Sequence, residues 1–169
     1  IAVECGLPAG VFNVVLGSGE GAGTAIVSHP DIRKVAFTGS VRAGRSIAHI
    51  AAERIIPLTL ELGGKSPNII FEDADLAQAI PGALRAFAGN AGQICLAGTR
   101  LLVHRSLHDV VVEKLAAAVS QIKVGPEPDA MVGPLTTRAQ YERVQEYFEI
   151  ARGEGLAAAV GGAAAANPN

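Results

Sequence analysis

The chain has 169 residues, with 14 basic and 16 acidic side chains giving a formal charge of −2, and no Lys/Arg run or aromatic-basic interleaving of the kind that binds nucleic acid. Its two cysteines, Cys5 and Cys95, form neither a disulfide framework nor a metal-ligand spacing, so reduced thiols in a cytoplasmic setting are expected. No apolar stretch reaches the roughly 18 residues of a membrane span; the longest, Ala157 to Ala166, is about half that and is broken by Gly161-Gly162.

The chain opens on Ile1-Ala2-Val3-Glu4-Cys5-Gly6, which reads as the tail of a helix already running, with Gly6 as a left-handed cap and Pro8 beyond it. A start in mid-element, with no signal peptide ahead of the fold, is therefore expected, and Cys5 is assigned to packing. Val11 to Leu16 is a short apolar run between glycines and predicts a buried strand. Gly21 to Ser28 predicts a short helix and Lys34 to Thr38 the next strand. Ser40 to Arg54 has helical spacing, with Val41, Ile47, Ala48 and Ala51 apolar.

Pro57 to Leu60 and Asn68 to Phe71 predict two further strands around the Gly63-Gly64 turn. Asp75 and Gln78 make a capping box for a helix toward Ala88, which Pro81 should kink or delay. Arg100 to His104 predicts a strand, and Ser106 with Asp109 opens a helix reaching about Gln121. Val124 to Pro134 is a loop, and Thr137 with Gln140 caps a final helix to about Arg152. Leu156 to Asn169, rich in alanine and glycine, reads as frayed strand or linker.

Strands alternating with helices of 10–15 residues argue for an α/β fold with parallel strands. The mean hydropathy of +0.32 is carried by alanine, valine, isoleucine and leucine, as buried parallel strands require.

Three runs carry chemistry. Cys95 lies in Gly89-Asn90-Ala91-Gly92-Gln93-Ile94-Cys95-Leu96-Ala97-Gly98. A lone cysteine is usually a small buried hydrophobe. Here flanking glycines let backbone amides approach a developing oxyanion, and a thiol is the most reactive side chain near neutral pH. Glu61 precedes Leu62-Gly63-Gly64, where a carboxylate interrupts an apolar strand. It reads as a surface charge at a strand end, or as a base where ligands bind in open α/β sheets; burial there would suit it to taking a proton from water. Phe37-Thr38-Gly39-Ser40 ends a strand and opens a helix, an ordinary capped turn that is also a ready anion site. Gly17-Ser18-Gly19-Glu20-Gly21-Ala22 meets the dinucleotide-turn pattern, a weak signal by itself. The four histidines show no convergent arrangement, and no metal site is expected.

Together the Phe37-Thr38-Gly39-Ser40, Glu61-to-Pro67 and Gly89-to-Gly98 runs, in this order, resemble the aldehyde dehydrogenase superfamily, from Ile1 to about Gly162. The resemblance implies a Rossmann-like part of a dinucleotide-binding domain over residues 1–62, joined to part of an α/β catalytic domain over 63–169. It implies Cys95 as nucleophile and Glu61 as the general base that activates hydrolytic water. It implies NAD or NADP as cofactor, held by Gly19, Gly39, Ser40, Ala43, Leu62 and Gly63, with Gly39 and Ser40 at the pyrophosphate and Gly19 toward the adenosine. Val41-Arg42-Ala43 stands where Thr-Glu-Val or Thr-Glu-Ile is usual, so Ala43 offers the cofactor less apolar surface.

The implied reaction oxidises a small-molecule aldehyde to a carboxylic acid through a thiohemiacetal and a thioester. Glu61 favours hydrolysis over transfer to coenzyme A, whose acylating enzymes typically lack this glutamate. The implied parent protein is a homo-oligomer, dimer or tetramer, with no nucleic-acid or membrane partner. Relative to the family, an upstream oxyanion asparagine, the ribose-reading strand and a downstream Glu-x-Phe-Gly-Pro stretch are missing. The 169 residues alone are therefore expected to be inactive and to expose apolar sheet edges. The alternative is a non-catalytic module that keeps only the fold or a partner surface.

Overall fold

Apolar residues at alternate positions draw Val35–Gly39 (β1) and Leu58–Leu62 (β2) into a parallel pair, and the chain between them forms the helix Val41–Arg54 (α2). The same strand–helix–strand arrangement recurs with Pro67–Ile70 (β3), Leu76–Ala88 (α3) and Arg100–Val103 (β4), again parallel. A short helix, Thr24–Ser28 (α1), precedes the first pair. His108–Ser120 (α4) and Arg138–Gly153 (α5) follow the second. The computed structural model describes Ile1 and residues 3–164, and it divides into two units, Ile1–Gly63 and Gly64–Asn169. The fold is α/β with parallel strands.

In the first unit α2 lies on β2 through a glycine. A Cβ on Gly44 would stand 2.8 Å from Leu62 Cδ2, and Gly44 and Ala51 are buried. Arg54, at the end of α2, donates to the carbonyls of Val27 (2.6 Å), Pro30 (3.0 Å) and Ile32 (2.8 Å), closing the chain between α1 and β1. Ile55 then adopts the left-handed conformation (φ 52°). The N–H groups of Ile55 and Ile56 reach back to Ala52 and Ala51 oxygens, the Schellman pattern usually closed by glycine.

The second unit packs around Ile70 of β3, Ile80 of α3 and Val111 of α4, all buried. Leu101 and Val103 of β4 pack against this cluster, which explains why β3 and β4 alternate in burial. Side-chain caps start α3 and α5: Asp75 accepts from Ala77 N–H, and Thr137 accepts from Gln140 N–H.

Several expectations are corrected. Val11 to Leu16 forms no strand. Every residue of the run is exposed, because an apolar run becomes a strand only with a partner ladder, and among the described residues β1 pairs only with β2. Pro81 neither delays nor ends α3, which begins at Leu76 and runs past it; burial of Ile80 and Ala83 outweighs the hydrogen bond that proline forgoes. Ser106 is not the cap of α4: it sits in a 3₁₀ turn, Arg105–Leu107, and His104 accepts from its N–H through Nδ1. The start of the chain makes one turn, with Cys5 N–H on Ile1 O and Gly6 N–H on Val3 O, both at 2.9 Å, and Gly6 takes the left-handed conformation expected of it (φ 81°); Ala2 lies outside the described residues. Residues 156–164 hold no regular element, and 165–169 of the expected tail also lie outside them.

Candidate active site

In the first unit the candidate residues gather where β1 and β2 end and α2 begins. Gly39 and Leu62 are register partners across the parallel pair, as are Thr38 and Glu61. Leu60 and Leu62 point at Gly44 of α2, so Glu61, one position off, lies with Thr38 on the opposite face. Glu61 is exposed there, as a surface charge at a strand end would be and without the burial that would suit it to taking a proton, because β2 is covered only on the α2 side of this unit. Gly63, also exposed, ends the strand.

Ser40 starts α2 by accepting the N–H of Ala43 on its Oγ at 3.2 Å, while its carbonyl takes the N–H of Gly44 at 2.9 Å. Among the described hydrogen bonds, the N–H groups of Val41 and Arg42 have no acceptor. A 14-residue helix thus presents unpaired donors and its positive dipole end at the carboxyl edge of the sheet. Alongside runs a groove of about 780 Å³ whose lining includes Gly19, Ala43, Phe37, Lys34, Arg42 and Glu20. Arg42 and the unpaired N–H groups at the start of α2 fit a pyrophosphate's negative charge, whereas Lys34, ahead of β1, lines the groove at the other end of the strand. Ser18 caps the turn Gly19–Gly23 by accepting Gly21 N–H, which keeps the glycine-rich segment folded back at the groove. Gly19 and Ala43 therefore share the groove, while Gly39, Ser40, Leu62 and Gly63 form the strand ends and helix start beside it.

In the second unit Cys95 is exposed, in a turn closed by Ala97 N–H on Ile94 O at 3.2 Å. Among the described hydrogen bonds its own N–H has no acceptor. The chain leading to it is strained: Asn90, Ala91 and Gly92 are all left-handed, at φ 51°, 54° and 73°. Asparagine and glycine tolerate this conformation, but at Ala91 it costs about 1–2 kcal/mol, the kind of outlier that marks functional loops. The chain leaving the turn is fixed by Gly98, buried against Ala86 and Asn68. Gly64 also approaches closely, since a Cβ there would be 3.2 Å from the Cys95 carbonyl oxygen. The buried small hydrophobe that a lone cysteine usually is does not describe Cys95. Cys5 is exposed as well, rather than packed.

Three contributors escaped the sequence. Gln93 reaches Thr136 across 43 positions, Arg54 clamps three carbonyls, and Gly64 makes room for the Cys95 carbonyl. Gly64 carried a signal, as half of a Gly-Gly pair after Glu61, and so did Gln93, a polar side chain in a run otherwise suited to core. Among the described residues no cluster of three or more His, Cys, Asp or Glu could hold a metal, and no helix is long and apolar enough to cross a membrane.

The sequence model of the aldehyde dehydrogenase family matches residues 1–169. An aldehyde dehydrogenase of Bacillus cereus, solved in complex with NAD+, is 49% identical, with a TM-score of 0.93 over 97% of this chain and 34% of its own. The probable betaine aldehyde dehydrogenase of Schizosaccharomyces pombe is 47% identical over 96% of this chain and 33% of its length. The hydroxyisobutyraldehyde dehydrogenase of Mycolicibacterium austroafricanum is 44% identical over 88% and 30%. The chain thus spans about a third of the length of the relatives it matches.

Proposed function

Because the chain belongs to the aldehyde dehydrogenase family, we propose that it carries the thiol and the general base of an NAD(P)-dependent oxidation of an aldehyde to a carboxylic acid. The observation that carries this reading is the exposed Cys95 on a strained turn, with its own N–H unpaired beside it. The Cys95 thiolate adds to the aldehyde carbonyl carbon, and the Cys95 N–H donates to the oxygen that becomes negative. A nicotinamide dinucleotide, when bound, supplies the two-electron acceptor that turns this adduct into a Cys95 thioester. Glu61 takes a proton from water as that water attacks the thioester carbon; the C–S bond breaks, the acid leaves and the thiolate returns.

The unpaired N–H groups of Val41 and Arg42, with the Arg42 side chain lining the groove alongside, support a pyrophosphate at the start of α2. Gly39, Ser40, Leu62 and Gly63 shape that edge, and Gly19 and Ala43 line the groove that the rest of the dinucleotide would follow. Division of the chain into a cofactor-binding part, 1–62, and a catalytic part, 63–169, belongs to the same reading. So do a cytoplasmic location and an oligomeric parent.

The test replaces the matching third of the Bacillus cereus aldehyde dehydrogenase with this chain, which the 0.93 TM-score makes compatible. Cys95→Ser should abolish NADH formation. Glu61→Gln should keep a burst of about one NADH per site while steady turnover falls at least about 10²-fold, because acylation survives and hydrolysis does not. Turnover that survives Cys95→Ser would end the proposal. A second reading, a non-catalytic module, is favoured only if Cys95 of the native chain reacts with iodoacetamide no faster than Cys5.

A further inference from the structure

We propose that Gln93 is a positioning residue for Cys95, tethering the thiol-bearing turn to the start of α5; the inference rests on reading Cys95 as the nucleophile. The Gln93 carboxamide uses both ends. Its Oε1 accepts from the N–H of Thr136 at 3.3 Å and from the Thr136 hydroxyl at 3.1 Å. Its Nε2 donates to the carbonyl of Asn90 at 3.3 Å, and Asn90 Nδ2 donates in return to the Gln93 carbonyl at 3.1 Å. One side chain therefore closes residues 90–93 on themselves and fastens them to Thr136, next to Thr137, which caps α5.

Two observations make this tether more than local packing. The segment it closes holds three consecutive left-handed residues, Asn90 to Gly92, a conformation that relaxes unless its surroundings over-determine it. The turn that follows at once, Ile94 to Ala97, carries the thiol and the unpaired N–H of Cys95. Downstream that turn is anchored by Gly98 N–H on Ala86 O at 2.9 Å. Upstream, Gln93 is its side-chain anchor to a distant part of the chain. Attack on a carbonyl needs the sulfur and the oxyanion donor in fixed mutual geometry, and misplacement by about 1 Å costs on the order of 10²-fold.

Labelling the native chain with ¹⁵N-cysteine gives two amide signals, with Cys5 as internal control. In Gln93→Ala the Cys95 order parameter should fall from about 0.85 to below about 0.6 while Cys5 is unchanged. The ratio of Cys95 to Cys5 alkylation by iodoacetamide should fall at least about threefold. Thr136→Ser, which keeps both donors, should behave as wild type. Thr136→Val reads the same tether from its far end and should give a partial loss of both signals. Gln93→Ala and Thr136→Val chains with unchanged order at Cys95 overturn the proposal. Loss of order without any change in the alkylation ratio also overturns it, because the tether then serves only the fold. Failure of the nucleophile reading shows separately, as a wild-type ratio of one.

Discussion

The backbone N–H of Gly98 lies 2.9 Å from the carbonyl oxygen of Ala86, so the chain leaving Cys95 is fastened to the last turn of α3. That carbonyl is one of the four a helix leaves without an internal partner at its end. Gly98 satisfies it and at the same time holds the thiol-bearing turn. The space beside it is closed: a Cβ on Gly98 would meet Ala86 Cβ at 3.1 Å and Asn68 Cβ at 3.2 Å.

Gly98→Val should accordingly destabilise the second unit by about 1–3 kcal/mol, the usual cost of forcing extra methyl groups into packed space. Amide exchange at Val111, wholly buried in the core of that unit, reads the change. Unaltered protection there would mean that the loop yields instead of the core.

Arg54→Met should loosen the connection between α1 and β1. Three carbonyls lose a charged donor, and because water reaches the partly buried site the net cost is about 2 kcal/mol. Arg54→Lys should recover less than half, since one ammonium cannot span the fork that the guanidinium fits. Exchange of the Ile32 amide, which donates to His29 O at 3.0 Å, should quicken on the order of tenfold or more in both variants.

Ile55→Gly should stabilise the first unit by about 1 kcal/mol. A β-branched residue in the left-handed region is strained, and Ile55 is 90% exposed, so its removal forfeits little burial. The midpoint of urea unfolding, followed through a signal from β1 or β2, should rise. A fall would show that packing of the Ile55 side chain outweighs its left-handed strain.

Ser40 separates a cap from a cofactor contact. Ser40→Ala should cost about 1 kcal/mol of α2 stability. Ser40→Asp should keep the cap yet weaken NAD binding at least about tenfold, because its carboxylate occupies the donor end that a pyrophosphate would use. Titration with NAD, followed at the amides of Val41 and Arg42, decides this. Silence of both amides in the wild-type chain would count against the pyrophosphate assignment.

The family and the parallel α/β fold were legible in the sequence, and so were the local signals. Ser40, Asp75 and Thr137 cap their helices, Asp75 through Ala77 N–H and not in the box with Gln78 that the spacing predicts, and the predicted strands that find partners begin within a few residues of where they were expected. Caps and periodicity act over three or four neighbours, so a linear reading captures them. Tertiary structure decided the rest. Val11 to Leu16 is apolar enough for a strand but has no ladder to join, and Pro81 is carried inside α3 by the burial of its neighbours. The exposure of Glu61 depends on which face of β2 is covered. The Gln93–Thr136 tether joins residues 43 positions apart. Hydrogen-bond partners and burial are set by segments distant in the chain, and no local pattern of residue types encodes which of them will meet.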